Sequence, residues 1–415
     1  MKNIRIGCVT KVVYEEDTTL IRKIVKDNEI DLLVFPEMHD FTVDLGLPDL
    51  PEGEPKVIGF EMNWAKQVGC AVIMGMEDDK GNIFNIFVNP NPESDETRGH
   101  IYVKHTMTDH SAFEWENYAE LCERMFQPIS FHGWRIGMTI CYDSNFPIFS
   151  RMYGKKGIDL IVNNTWKNAN KSKWFKYHKV RSIENQCNSV VTMFCDELTK
   201  KCNLPTYCFN SKGGIIECER YIEGIYVYEI AYDKGVATED EYVNQQESVN
   251  KNIDVRIPVG KVAKLIEKSY CVDKNIYCYR NKNQNVIFCI IKGNDILKPE
   301  KVLNLLYNKH LDSIENKCFV IVNQYNHFSD KFFRTQLETV LKVRAVENLC
   351  AVILESDNDC RCYQCTNYKT SQVIKPVKGY FGLDLKRTHG PKHTGLHHKN
   401  QWNSNIQFLV NMLLK

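Results

Sequence analysis

The chain has 415 residues, about two to three times an ordinary domain, and its 43% hydrophobic and 11% aromatic content belongs to a globular protein. Lys and Arg total 53 against 52 Asp and Glu, a formal net charge of +1, which excludes a global field recruiting nucleic acid or a membrane surface. No apolar stretch reaches the roughly 18 residues of a membrane span, and no signal-like apolar core opens the chain, so the 17 cysteines read as reduced thiols of a cytoplasmic protein.

In chain order, residues 4–9 read as a strand and residues 18–30 as a helix of 3.6 period. Asp31-Leu-Leu-Val-Phe-Pro-Glu37 is a second buried-strand run, stopped by proline and delivering Glu37 at its end. A carboxylate there reads as either a solvated loop charge or a buried base. A helix over 56–68 and strands at 71–76 and 83–89 continue an α/β alternation. The short strand in His100-Ile-Tyr-Val-Lys104-His then brings Lys104 to another strand end.

Trp134-Arg-Ile-Gly-Met-Thr-Ile-Cys141-Tyr-Asp-Ser-Asn-Phe-Pro147 follows the same plan. Its apolar run suits a buried strand, and the turn after it leads to a proline that fits the first turn of a helix. Cys141 thus stands at a strand's carboxyl end near a helix N-terminus, where a thiolate forms more easily. Taken alone it is equally a small buried hydrophobe. Strand ends in layered α/β folds converge on one rim. A thiol there needs a base, and a developing oxyanion needs a fixed positive charge or N–H donors. Glu37, Lys104 and Cys141 supply those parts.

These segments, Val-Phe-Pro-Glu37, Gly-His-Ile-Tyr-Val-Lys104-His and Gly-Met-Thr-Ile-Cys141-Tyr-Asp, resemble the three signature segments of the nitrilase superfamily, the carbon–nitrogen hydrolases. Val162-Asn-Asn-Thr-Trp166 and Lys179-Val-Arg181-Ser-Ile-Glu184-Asn resemble its later segments, so the resemblance covers residues 1 to 240. It implies an αββα sandwich with Glu37 as general base, Lys104 as oxyanion stabiliser and Cys141 as nucleophile. The backbone N–H of Tyr142 would join Lys104 at the oxyanion. A further glutamate of the family falls on Phe113-Glu114-Trp-Glu116-Asn-Tyr118; Glu114 is preferred to Glu116 for its spacing to Tyr118, and both also read as solvated helix-start carboxylates. Phe113, Tyr142 and Trp166 are the residues expected at the substrate pocket, although aromatic side chains in such places also serve as core.

Tyr142-Asp143 resembles the amidase and carbamoyl-amidase branches, whereas true nitrilases carry Trp-Glu after the cysteine. Ile148 stands where many of the amidases carry glutamate. The expected enzyme is therefore an amidase-type carbon–nitrogen hydrolase. It would cleave a small amide or carbamoyl compound through a cysteine thioester, with no cofactor or metal. The alternatives are acyl transfer to an amine, or a binding protein on the same scaffold.

The catalytic half continues with a helix over 172–186, a strand over 189–194 and a hairpin turning at Lys212-Gly213-Gly214. The polar stretch 233–252 reads as a linker, so residues 1–262 form the expected catalytic domain, linker-like over 233–262, and 263–415 a smaller α/β domain. Self-similarity marks the latter as an internal repeat. Leu341-Lys-Val-Arg344-Ala-Val-Glu347-Asn matches His178-Lys-Val-Arg181-Ser-Ile-Glu184-Asn, and Cys318-Phe-Val-Ile-Val-Asn323 matches Asp159-Leu-Ile-Val-Asn163. On the same basis Lys292 takes the place of Cys141, giving a degenerate second half-copy without counterparts of Glu37 and Lys104. The family's habit of dimerising through these helices suggests a homo-oligomer or an intrachain pseudo-dimer, with a small-molecule substrate as the other partner. Cys360-Arg-Cys362-Tyr-Gln-Cys365, with His389, His393, His397 and His398, has ligand types for zinc but no recognised zinc spacing. Residues 405–414 read as a final helix.

Overall fold

Apolar runs too short for helices become the strands of two facing sheets in the first half of the chain. The computed structural model describes residues 3–11, 13, 15–37, 57–77, 82–106, 118–166, 171–195, 205–232, 255–260, 270–273, 276–281, 286–306, 318–325, 331–356, 359–367, 370–384 and 404–414. It divides into two units, Met1–Thr238 and Glu239–Lys415.

The first unit runs β1 (Ile4–Val9), α1 (Thr18–Asp27), β2 (Leu32–Val34), α2 (Val57–Val68), β3 (Ala71–Glu77), β4 (Ile83–Val88) and β5 (Gly99–Val103). It continues with α3 (Tyr118–Met125), β6 (Ile129–Phe131), β7 (Trp134–Ile140), α4 (Pro147–Gly154), β8 (Leu160–Thr165), α5 (Lys171–Asn185) and β9 (Asn188–Met193). It closes with β10 (Thr206–Phe209), β11 (Ile215–Ile216), β12 (Arg220–Ile222) and β13 (Ile225–Ile230). One sheet has the order β12-β13-β1-β2-β3-β4-β5 and the other β11-β10-β9-β8-β7-β6. Each has three central parallel strands, β1-β2-β3 and β7-β8-β9, with antiparallel strands outside them.

The sheets face one another, β4 against β7 and β1 against β9, while α2 packs on the first and α4 and α5 on the second. That is the αββα sandwich. Strands covered on both faces explain why β3, β4, β8 and β9 lack clean polar alternation. Gly137 is required by this layering: a Cβ there would come within 2.7 Å of the Tyr153 ring, so a larger residue would lift α4 off β7. The first helix is shorter than its periodicity suggests. Asn28 accepts the terminating position, its side-chain amide donating to the Ile24 carbonyl at 2.8 Å, and Glu29 turns left-handed with φ +49°.

The second unit comprises β14 (Val255–Pro258), β15 (Tyr270–Asp273), β16 (Ile276–Asn281), β17 (Val286–Lys292), α6 (Pro299–Leu306), β18 (Cys318–Gln324) and α7 (Lys331–Glu347). Then come β19 (Ala351–Ser356), β20 (Asp359–Asn367), β21 (Thr370–Ile374), β22 (Tyr380–Leu383) and α8 (Ser404–Leu414), which packs on α6. Its main sheet is ordered β15-β16-β17-β18-β19-β20-β21. From β16 onward the directions repeat those of β6 to β11: antiparallel, parallel, parallel, antiparallel, antiparallel. One face of that sheet buries Val286, Phe288, Ile290, Val320 and Val322 under Ile257, Phe381 and Leu383 of the β14–β22 pair. That pairing assigns residues 255–258 to the second unit, so the 233–262 stretch does not all belong with the first, and residues 233–254 lie outside the described residues.

The three cysteines considered for zinc lie on β20. Successive strand residues point to opposite faces, so Cys360 and Cys362 share a face and pack into the apolar core, while Cys365 points the other way. Among the described residues no cluster of His, Cys, Asp and Glu is arranged to hold a metal ion; His389, His393, His397 and His398 lie outside them. No helix among the described residues is long and apolar enough to cross a membrane.

Candidate active site

Each of the three expected residues sits just past the end of a strand. Glu37 follows β2 behind Phe35 and Pro36, Lys104 follows β5, and Cys141 follows β7. The first two strands belong to one sheet and β7 to the other, so the site lies where the two sheets meet. All three side chains are buried: Glu37 is 2%, Lys104 3% and Cys141 5% exposed. The alternative of a solvated Glu37 is therefore excluded.

Glu37 is the hub. Its Oε1 accepts from Lys104 Nζ at 2.5 Å and its Oε2 from the Trp166 backbone N–H at 3.0 Å. The carboxylate also engages the Cys141 thiol. Burial opposes the charge on Lys104, yet the Glu37 carboxylate beside it helps to hold its pKa above the ordinary value. The site thus keeps a permanent ammonium. Burial and the Glu37 carboxylate push the Cys141 thiol well up, against the pull of Lys104 and of the Trp166 backbone. This differs from the expectation of an easily formed thiolate at a helix N-terminus. A five-residue 3-10 turn, Cys141–Asn145, separates the sulfur from α4, whose first residue is Pro147. The helix is too far along the chain to offset burial, so the resting group is a thiol beside a base.

The backbone at Cys141 is left-handed, φ +41°. A side chain with a Cβ adopts that conformation only when its surroundings dictate it. Here they do. Arg181 on α5 donates to the Ser144 carbonyl from Nε at 3.4 Å and Nη2 at 3.2 Å, and is itself held by Glu184 at 2.8 Å, both side chains fully buried. Ser144 Oγ lies 2.9 Å from His178 Nε2 and accepts from Asn163 Nδ2 at 2.8 Å. Burial, reinforced by Arg181, holds the His178 pKa down at about 3, so the imidazole is neutral. The Lys-Val-Arg-Ser-Ile-Glu segment thus works as a tether for the turn carrying the sulfur.

Two polar ties cross between the sheets. Asn85 on β4 donates to Asn164 Oδ1 on β8 at 2.9 Å, and Asn164 in turn donates to the Phe35 carbonyl two residues before Glu37. Asp143, completely buried, accepts from Tyr102 Oη at 2.9 Å, Thr106 N at 3.0 Å and Thr106 Oγ1 at 2.6 Å. Sequence reading missed both ties, because a polar residue inside a strand or turn carries no mark of whether it is buried.

Of the residues expected at the pocket, Tyr142 is half-buried with its ring near Phe146 and Trp174. Trp166 is 36% exposed, and its indole stacks on Phe194 at 5.1 Å and 7° while its backbone N–H holds Glu37. Phe113, Glu114 and Glu116 lie outside the described residues.

The second unit contains a similar tether. Arg344 on α7 pairs with Glu347 at 2.7 Å and donates from Nε to the Ile296 carbonyl at 3.3 Å, as Arg181 does to Ser144. The turn it holds is again a five-residue 3-10 turn, Gly293–Leu297, followed by a helix beginning at a proline. The residue at its start is Gly293, φ +57°. This corrects the placing of Lys292 opposite Cys141: β17 and β7 are both seven residues long, and Lys292 is the last residue of its strand, as Ile140 is.

Residues 14–238 match the carbon-nitrogen hydrolase family model. An omega-amidase YafV of Yersinia enterocolitica is 31% identical over 171 residues, 39% of this chain and 62% of the relative, so the chain spans less than two thirds of that relative's length. Among solved structures, a carbon-nitrogen hydrolase from Helicobacter pylori G27 aligns at 14% identity and a TM-score of 0.41, covering 56% of this chain and 90% of that one. An amidase from Nesterenkonia sp. aligns at 17% identity and a TM-score of 0.41, covering 56% and 91%.

Proposed function

This chain belongs to the carbon–nitrogen hydrolase family, and from that premise we propose that it hydrolyses a non-peptide carbon–nitrogen bond of a small amide or carbamoyl compound through a thioester on Cys141. The observation that supports the reading is a single buried carboxylate, Glu37, 2.5 Å from the Lys104 ammonium and interacting with the buried Cys141 thiol.

Glu37 takes the thiol proton as sulfur attacks the acyl carbon, which removes the need for a standing thiolate. Lys104, with the Tyr142 N–H, neutralises the oxyanion of the tetrahedral adduct. The carbon–nitrogen bond breaks as Glu37 returns the proton to the departing ammonia or amine. Glu37 next removes a proton from water, the hydroxide adds to the thioester, and the carbon–sulfur bond breaks. The acid leaves and the sulfur regains the proton. Within this proposal Glu114 is the second carboxylate near Lys104, and Phe113, Tyr142 and Trp166 border the acyl group. The likeness to an omega-amidase directs attention to terminal amides.

The second unit fits a half-copy of the sandwich whose elbow has lost its nucleophile, and the oligomer or intrachain pseudo-dimer suggested by the family completes the proposal. Light scattering of the full chain reads the assembly, and cell fractionation reads the expected cytoplasmic location. The activity test is ammonia release from succinamate, butyramide and N-carbamoyl-β-alanine. Turnover of at least one, abolished by Cys141→Ala and by Glu37→Gln, is expected; turnover unaffected by Cys141→Ala would refute the thioester. A new amide formed on adding hydroxylamine, in excess of free acid, would favour acyl transfer over hydrolysis.

A further inference from the structure

We propose that Asp143 is the positioning residue that sets Lys104 against Cys141. The inference rests on the roles given above to Lys104 and Cys141. Those two residues stand on different sheets, Lys104 beyond β5 and Cys141 beyond β7, and no covalent path shorter than the intervening chain relates them. Asp143 sits two residues after the nucleophile in the same 3-10 turn, yet among the described residues every hydrogen-bond partner of its side chain comes from the Lys104 segment. Tyr102 Oη donates to Oδ2 at 2.9 Å, the His105 N–H to Oδ1 at 3.2 Å and Oδ2 at 3.4 Å, and the Thr106 N–H and hydroxyl to Oδ1 at 3.0 and 2.6 Å.

All of these partners are donors, which only a carboxylate with its several lone pairs satisfies together. They flank Lys104 on both sides, at positions 102, 105 and 106, so they hold the stretch of chain from which the ammonium projects. Aromatic rings close the remaining space: His105 lies 4.5 Å from Phe149 and 5.6 Å from Phe126, and Tyr102 lies 6.0 Å from Phe126.

The second unit offers an internal control. Asp295 occupies the same third place of its 3-10 turn, but its carboxylate accepts from Lys298 at 2.8 Å and Lys301 at 2.9 Å, both on or beside its own helix. Nearby lysines hold that carboxyl below the ordinary range. An aspartate at this place is thus compatible with purely local pairing. At Asp143 the carboxylate reaches instead across to the other sheet, where Lys104 is.

The test is steady-state kinetics and thermal melting of full-length Asp143→Asn, Thr106→Val, Tyr102→Phe and the double variant Asp143→Asn/Thr106→Val, on the best of the three amide substrates. Asp143→Asn is expected to lower kcat about 100-fold with KM within about twofold, since a misplacement of about 1 Å costs that much in a preorganised site. Thr106→Val alone should lower kcat about tenfold and add nothing in the Asp143→Asn background, because both act through the same segment. A general loss of structure would instead lower kcat by the same factor in either background and would overturn the proposal. So would wild-type kcat in Asp143→Asn. If Asp143→Asn does not fold, Tyr102→Phe and Thr106→Val decide: stepwise loss of kcat at unchanged melting temperature supports the assignment, and wild-type kcat in both overturns it. An inactive Cys141→Ala beside a fully active Asp143→Asn would remove this inference alone, whereas an active Cys141→Ala would remove the thioester reading on which it stands.

Discussion

The two elbows of this chain differ in little except what stands on them. At Cys141–Asn145 and at Gly293–Leu297 a buried parallel strand ends in a 3-10 turn, a proline starts the next helix, and a buried Arg–Glu pair two elements later grips a carbonyl of the turn. At the first elbow the left-handed position carries a thiol, and a second sheet brings a carboxylate and an ammonium against it. At the second it carries glycine, which adopts positive φ freely. The same strand, turn and tether thus occur at both elbows, whereas among the described residues the buried carboxylate, ammonium and thiol come together at the first.

Substitutions that make the first elbow more like the second should have the largest effect. Cys141→Gly should abolish turnover, by on the order of 10⁵-fold or more as for other nucleophile deletions. It should also raise stability by about 1 kcal/mol, because the left-handed backbone is relieved; calorimetry and ammonia release on the same preparation check both. A lowered melting temperature would mean that the sulfur packs more than it strains.

Removing the positive charge comes next. Lys104→Met should cost about 100- to 1000-fold in kcat, the usual loss on deleting an oxyanion donor, and leave Glu37 buried without its ammonium. An unchanged kcat would take Lys104 out of the mechanism.

The tethers sharpen the comparison on the side of stability. Arg181→Leu and Arg344→Leu each strand a buried carboxylate and should each destabilise by about 3–5 kcal/mol in denaturant titration. Only Arg181→Leu should also lower kcat at temperatures where both variants are folded. Equal loss of kcat in both would erase the difference between the elbows.

A smaller effect concerns the thiol itself. Burial and Glu37 hold the Cys141 thiol protonated past neutrality, so the thiolate fraction, and with it the rate of iodoacetamide alkylation at Cys141, should climb through pH 9 without a plateau. A plateau near neutral pH would indicate a standing thiolate.

Much of this arrangement was legible in the sequence, for a physical reason. A strand covered on both faces must be an unbroken apolar run, so the polar residue that ends it stands out, and Glu37 and Cys141 were visible that way. The Arg181 and Arg344 segments repeat because each must bury a charge pair at one fixed spacing on a helix. Asn85, Asn164 and Asp143 were not legible. Their burial depends on partners on the other sheet, some of them dozens of residues away. The misplacement of Lys292 has a similar origin, since residue types in two apolar strands align equally well one step either way. Positive φ at Gly293 and Cys141 settles the register.

The most direct measurement is intact-protein mass spectrometry of wild type, Glu37→Gln and Cys141→Ala after brief exposure to the turned-over amide. A carboxylate that activates both the thiol and the water should, when neutralised, leave an acyl adduct trapped on Glu37→Gln and none on Cys141→Ala. Adduct on Cys141→Ala, or unimpaired turnover by Glu37→Gln with no adduct, would contradict the sharing of one base between sulfur and water.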